Sequence, residues 1–139
     1  MNLTSVTYTS LARTDLETSE LDEIQKAALE RNGDEGITSL LVYNGTHFLQ
    51  VVEGGEVAVE KLLDRLRSDL RHKGFEIRER RKVDARSFPE WPMELLRVSP
   101  GYFQARDAIA DRLPSTVPDA IRARLLRMTE LISRIEFPS

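Results

Sequence analysis

Apolar residues along this chain alternate, then recur at three- and four-residue intervals, then alternate again. Leu3 to Thr9 is rich in β-formers, with Val6, Tyr8 and Ser10 on one face of a strand. Leu21, Ile24 and Ala28 make the stripe of a helix over about 19–32. Ser19 is its expected cap, with Asp22 in a weak capping-box position, and Gly33 its expected stop. GITSLLVY and THFLQVVE are β-rich runs joined by Asn44-Gly45, which predicts a hairpin with a type I′ turn. A two-residue turn there sets Tyr43 opposite Thr46, Leu41 opposite Phe48 and Ser39 opposite Gln50. Ile37, Ser39, Leu41, Phe48, Gln50 and Val52 then share one sheet face, with an amide in the middle of apolar neighbours.

Gly54-Gly55 ends that run. Val59, Leu62, Leu63 and Leu66 predict a second helix over about 56–68. Phe75–Val83 follows as a strand whose Arg78, Arg80, Arg81 and Lys82 suit a solvated edge. A short last strand is expected at about Trp91–Val98, with Trp91, Met93 and Leu95 on one face. The order β-α-β-β-α-β-β is α+β: a ferredoxin-like, mostly antiparallel sheet with two helices on one face. Two C-terminal helices follow, at about 101–112 and 119–134, with Pro118 as the first residue of the last. Residues 1–98 therefore read as one sensor-sized unit and 99–139 as a helical tail for capping or dimerisation. The stripe Ile121, Leu125, Met128 and Ile132 is expected to pack within the molecule, a homo-oligomer seam being the alternative.

Composition narrows the chemistry. The 139 residues include no Cys, which excludes disulfides, iron–sulfur clusters and thiol chemistry, and two His make a His-rich metal centre unexpected. Twenty Lys+Arg against 23 Asp+Glu leaves a formal charge of −3, no footprint for nucleic acid or an anionic membrane. With no membrane-span pattern and no signal peptide pattern, a cytoplasmic protein is expected.

The polar residues on the helix-covered face carry the functional signal. Tyr8 and Gln50 point there from two strands, and Asn32 ends the first helix. Glutamine has two donors and two acceptor lone pairs, so it can invert its pattern by rotating or tautomerising, which suits a heteroaromatic ring. Here the sequence resembles the BLUF family of flavin-binding blue-light sensors. The resemblance covers residues 1 to about 98 and rests on Tyr8 with Ser10, Arg31-Asn32, GITSLLVYNGTHFLQVVEG, DLRH at 69–72 and RSFPEWPM at 86–93.

What the resemblance implies is specific. FAD would lie noncovalently between the two helices. Tyr8 matches the family's electron and proton donor, and Gln50 the amide between that phenol and the flavin. Asn32, beside Arg31, matches the side chain on the ring's far polar edge. Ile24, Leu41 and Phe48 fall where the family packs the ring, and Asp69, Arg71 and His72 near the ribityl and phosphate side. Trp91 and Met93, with Ser10, fall on the signal relay toward an unidentified downstream protein. No enzyme activity is implied. Three departures stand out. Ser39 replaces a usual glycine and is expected to contact Gln50. Pro92 interrupts the family's Trp-Ser-Met and restricts registers of the last strand, and Gly55 loosens the entry to the second helix. The competing readings are a ferredoxin-like ligand-binding or oligomerisation module without flavin and, less supported, a small hydrolase. Neither absorbs the Tyr8–Gln50 pair. The 41 residues after 98 are expected to be too few for an ordinary effector domain.

Overall fold

The computed structural model describes residues 2–134. Met1 and the expected tail's last residues, 135–139, lie outside the described residues. Nine elements follow one another: β1 (Leu3–Ala12), α1 (Thr18–Glu35), β2 (Thr38–Tyr43), β3 (His47–Gly54), α2 (Glu56–Arg67), β4 (His72–Val83), β5 (Glu94–Arg97), α3 (Tyr102–Arg112) and α4 (Asp119–Ile132). The sheet order is β4-β1-β3-β2-β5, antiparallel throughout except for β5 beside β2. The fold is thus the expected α+β plan, with arginine-rich β4 at one edge.

Two apolar layers sandwich the sheet. On one face α1 and α2 bury Leu21, Val59, Leu62 and Leu63 against Val6, Ile37, Leu41, Phe48 and Val52. On the other face Leu40, Val42, Leu49 and Val51 meet Phe88, Ile109 and Leu113, and Ile121, Leu125 and Ile132 of α4. Three of the four residues in the α4 stripe are buried, and Met128 packs beside them. Over the sheet's polar margin, buried Arg124 of α4 pairs with Glu79 of β4. The residues after α4 return to α3: Tyr102 N–H donates to the Arg134 carbonyl at 3.1 Å.

Element ends differ from the sequence expectation for local reasons. α1 starts one residue before Ser19, with Glu17 in the cap position and its N–H donating to the Glu20 carboxylate at 3.3 Å. The helix runs through Gly33 to Gly36, whose φ of 68° supplies the left-handed stop. Ile37 N–H then returns to the Asn32 carbonyl at 2.9 Å. Pro118 sits just outside α4, at its cap position. β4 begins earlier than Phe75, at His72.

The hairpin corrects the register. Asn44 N–H donates to the His47 carbonyl at 3.3 Å, so Gly45 and Thr46 are the central pair. Only Gly45 has positive φ, 96°, the pattern of a type II′ rather than a type I′ turn. Asn44 instead turns its side chain inward. Its Oδ1 accepts from Thr46 N–H and His47 N–H, at 3.0 and 2.7 Å, while Nδ2 donates to the Ile132 carbonyl at 2.7 Å. The slip is two residues, so every side chain keeps its face but changes its partner. Gln50 opposes Leu41, and Ser39 opposes Val52 rather than Gln50.

The last strand is shorter than expected. β5 starts at Glu94, so Trp91 and Met93 precede it and alternation does not govern them. They do not share a face. Met93 joins the α1-side cluster, while Trp91 packs with the tail-side core and stacks on Phe88 at 5.6 Å between ring centroids.

Candidate functional site

A cleft opens between α1 and α2 above the sheet, with about 780 Å³ of atom-free space, part of it open to solvent. That size suits a small organic ligand or cofactor. Helix geometry makes it. Ala27 and Ala28 keep α1 thin beside Ile24, while Leu62 and Leu66 wall the α2 side. Leu41 and Phe48 form an apolar floor from the hairpin.

Three polar side chains break that floor. Tyr8 and Gln50 are directly opposed across β1 and β3. The Tyr8 hydroxyl donates to Gln50 Oε1 at 2.5 Å, and both residues are 2% exposed. Gln50 Nε2 faces Met93 Sδ at 3.9 Å. Burial, then the nearby Asp69 charge, pushes the Tyr8 phenol well above its ordinary pKa, so it stays protonated. Its ring packs on Phe75 at 4.6 Å between centroids. Asn32 is the third: Nδ2 donates to the Pro92 carbonyl at 2.8 Å, and Oδ1 is buried with no partner.

Charge collects at the mouth. Asp69 holds Arg71 through Nε and Nη2 at 2.9 and 2.6 Å, and that guanidinium keeps its carboxyl below the usual carboxylate range. Arg31 and Arg65 line the same opening. Arg65 binds Glu35 at 3.0 Å while its Nε is buried without a partner. His72 Nε2 donates to the Leu66 carbonyl at 2.5 Å, and its Nδ1 lies 2.7 Å from Ser10 Oγ. A carbonyl only accepts, so Nε2 carries the hydrogen of that bond.

The cleft therefore gathers Tyr8, Ile24, Arg31, Asn32, Leu41, Phe48, Gln50, Asp69, Arg71, His72 and Met93 of the expected residues. Ser10 stands behind His72, and Trp91 lies across the sheet, away from the cleft. The expected Ser39–Gln50 contact gives way to Ser39 Oγ donating to the Pro92 carbonyl at 3.1 Å. Sequence reading passed over Ala27 and Arg65; Arg65 is legible only as the i+3 neighbour of Leu62 on the cleft side of α2.

A second buried network fixes the segment that carries Met93. Glu53 Oε1 accepts from the Thr38 hydroxyl at 2.9 Å and Phe88 N–H at 2.7 Å, and Oε2 from Ser87 N–H at 2.8 Å. Arg86 adds bonds to the Gly36 and Glu53 carbonyls, at 2.7 and 3.2 Å. Residues 86–88 are thereby pinned to the ends of β2 and β3.

The donor set fits a flavin nucleotide. An unpartnered acceptor, Asn32 Oδ1, matches an imide N–H, apolar walls match a flat ring, and three guanidinium groups match phosphate. Among the described residues no His/Asp/Glu group has the makings of a metal site.

A family model described as BLUF, sensors of blue light using FAD, matches residues 3–94. The chain is 34% identical over 70 residues to the blue light- and temperature-regulated antirepressor BluF of Escherichia coli (strain K12), 50% of this chain and 17% of that protein. It is 33% identical over 92 residues to photoactivated adenylate cyclase subunit beta of Euglena gracilis, 66% of this chain and 11% of that one. The chain thus matches less than a fifth of either relative's length. The solved BlrP1 BLUF structure superposes with a TM-score of 0.81 at 28% identity, covering 100% of this chain and 97% of that one; BlrP1 is a Klebsiella pneumoniae protein. BlrB, a BLUF protein in its dark state, gives a TM-score of 0.72 at 28% identity, covering 94% and 97%.

Proposed function

We propose, from the premise that this chain belongs to the BLUF family of blue-light sensors, that it is a photoreceptor holding FAD noncovalently in the α1–α2 cleft. The observation that carries the reading is the buried Tyr8–Gln50 hydrogen bond on the cleft floor beside an unpartnered Asn32 acceptor. Bound flavin supplies absorption of blue light and, once excited, a strong pull on an electron. The protein supplies the rest. Asn32 Oδ1, Ile24, Leu41 and Phe48 orient the ring, and Arg31, Arg65 and Arg71 face the phosphates. Asp69 holds Arg71 in place, and His72 braces the wall behind Tyr8 through Ser10.

Tyr8 keeps its proton at the hydroxyl, aimed at Gln50 Oε1. Loss of an electron makes that proton strongly acidic, and Oε1 is its nearest acceptor. When charge returns, the amide settles rotated or tautomerised, with a donor where it had an acceptor. Both arrangements must lie within a few kcal/mol for the change to reverse in darkness. The rearranged Gln50 faces Met93 differently, and Met93 leads into β5. α3 and α4 cover the opposite face, which supports a tail at 99–139 that reads the sheet and passes its state to a protein partner. Relatives named as an antirepressor and a cyclase support signalling through another protein or domain rather than chemistry in this cleft. No helix among the described residues is long and apolar enough to cross a membrane, which fits action in the cytoplasm.

The test is a visible spectrum. Purified protein should show oxidised-flavin bands that shift slightly to the red under blue light and recover in darkness, with FAD released on denaturation. Tyr8→Phe and Gln50→Leu should keep flavin and lose the shift. A colourless protein that FAD cannot reconstitute, or a normal shift in Tyr8→Phe, contradicts the reading.

A further inference from the structure

Ser39 stands where β2 first meets the segment leading into β5, and it is fully buried. Its N–H donates to the Trp91 carbonyl at 2.8 Å. Its hydroxyl donates to the Pro92 carbonyl at 3.1 Å and lies 3.5 Å from Met93 Sδ. Two cleft amides reach the same pair of residues. Asn32 Nδ2 donates to the Pro92 carbonyl at 2.8 Å and lies 3.5 Å from Ser39 Oγ. Gln50 Nε2 faces the Met93 sulfur at 3.9 Å. Pro92 has no N–H, so its carbonyl is the polar handle by which this stretch is held. Ser39 is the side chain that touches both Pro92 and Met93.

We propose that Ser39 is a positioning residue that latches Pro92 and Met93 onto the cleft in the resting arrangement, and so sets how quickly the illuminated arrangement decays. The inference rests on the light-sensing reading above. A hydroxyl has one hydrogen, so it serves the Pro92 carbonyl or the Met93 sulfur, not both. Inverting the Gln50 amide puts an oxygen, in place of a donor, against that sulfur, and two electron-rich atoms repel. Met93 is pushed away and pulls on the Ser39–Pro92 bond. A bond kept at rest and strained after illumination favours return. Losing it should lengthen the illuminated state by about fivefold, the equivalent of one ordinary buried hydrogen bond.

The test uses Ser39→Ala and Ser39→Gly, which drop the hydroxyl, and Ser39→Thr, which keeps it. Dark decay is followed after a blue pulse. Light-minus-dark infrared spectra of protein carrying carbonyl-labelled proline read the Pro92 handle, and amide exchange in darkness reads Glu94–Arg97. The latch predicts about fivefold slower decay in Ala and Gly, a proline carbonyl band that shifts with light less than in the parent, faster exchange in β5, and near-parent behaviour in Thr. Decay at or above the parent rate in both Ala and Gly, with a red shift of normal size, overturns it. If the parent shows no red shift, the light-sensing reading fails instead; unchanged β5 exchange in Ser39→Ala would then still dismiss the latch.

Discussion

Replacing Glu53 by glutamine changes one atom in the network that pins residues 86–88. The carboxylate accepts three hydrogen bonds, from Thr38, Phe88 and Ser87. A glutamine oxygen can keep the Thr38 and Phe88 bonds on the Oε1 side. Its NH₂ then faces the Ser87 N–H, donor against donor. One bond to a charged acceptor is lost, about 1.5–3 kcal/mol, and a buried N–H is left unpaired at about 1–3 kcal/mol. The two figures overlap, since both describe the same broken contact. The neutral amide also escapes part of the cost of burying a charge. The net expected loss is about 2 kcal/mol. With a urea slope of about 2 kcal/mol per molar, the unfolding midpoint should fall by about 1 M. Trp91 is the sole tryptophan and stacks on Phe88, so its fluorescence follows the pinned segment directly. Equilibrium urea unfolding of parent and Glu53→Gln, read by Trp91 emission and by far-UV circular dichroism, makes the measurement. A midpoint within about 0.3 M of the parent, with unchanged Trp91 emission, would refute the claim that this carboxylate holds the segment.

Asn32→Ala removes the unpartnered acceptor in the cleft; flavin affinity, measured by dark titration of the stripped protein, should fall about tenfold, and an unchanged affinity would remove Asn32 from the binding account. Tyr8 has a raised folded-state pKa, so the folded protein keeps a proton that the unfolded chain releases above about pH 10. Stability should therefore fall as pH rises beyond that value while the light-induced shift persists up to it; loss of the shift already near pH 9, without unfolding, would contradict the burial assignment.

Parity was legible in the sequence and register was not. Alternation placed Gln50 among Leu41, Phe48 and Val52, and that face survives a two-residue slip because the period is two. Choosing between Asn44-Gly45 and Gly45-Thr46 as the central pair depends on α4, whose end accepts the Asn44 amide from far along the chain. The local part of the choice is the Asn44 side-chain carbonyl oxygen accepting from Thr46 and His47 N–H; the long-range part has no local signal. Gly33 was the expected stop of α1, but the helix runs on to Gly36, whose left-handed backbone lets Ile37 N–H return to the Asn32 carbonyl. Trp91 and Met93 were assigned one face by assuming a strand, yet the chain there is held by Ser39, Phe88 and Asn32 contacts rather than by a ladder. Arg65 needed a cleft before its position meant anything. Glu53 was the overlooked clue: it shares strand parity with Leu49 and Val51, and a carboxylate on an oily face requires donors, here Thr38, Ser87 and Phe88.

The Asn44 amide has a practical consequence for building on this scaffold. Hairpin tips are usually the first choice for inserting a tag, splicing in a reporter or opening a circular permutant. Here Asn44, the residue that opens the turn, is 2% exposed, and its side chain both shapes the turn and ties down the last carbonyl of α4. An insertion at 44–46 would untether the C-terminal helix while leaving the cleft's own residues untouched. Leu70, though 88% exposed in the connection between α2 and β4, is no easier a site: it sits between Asp69 and Arg71, whose ion pair at the cleft mouth added chain would break.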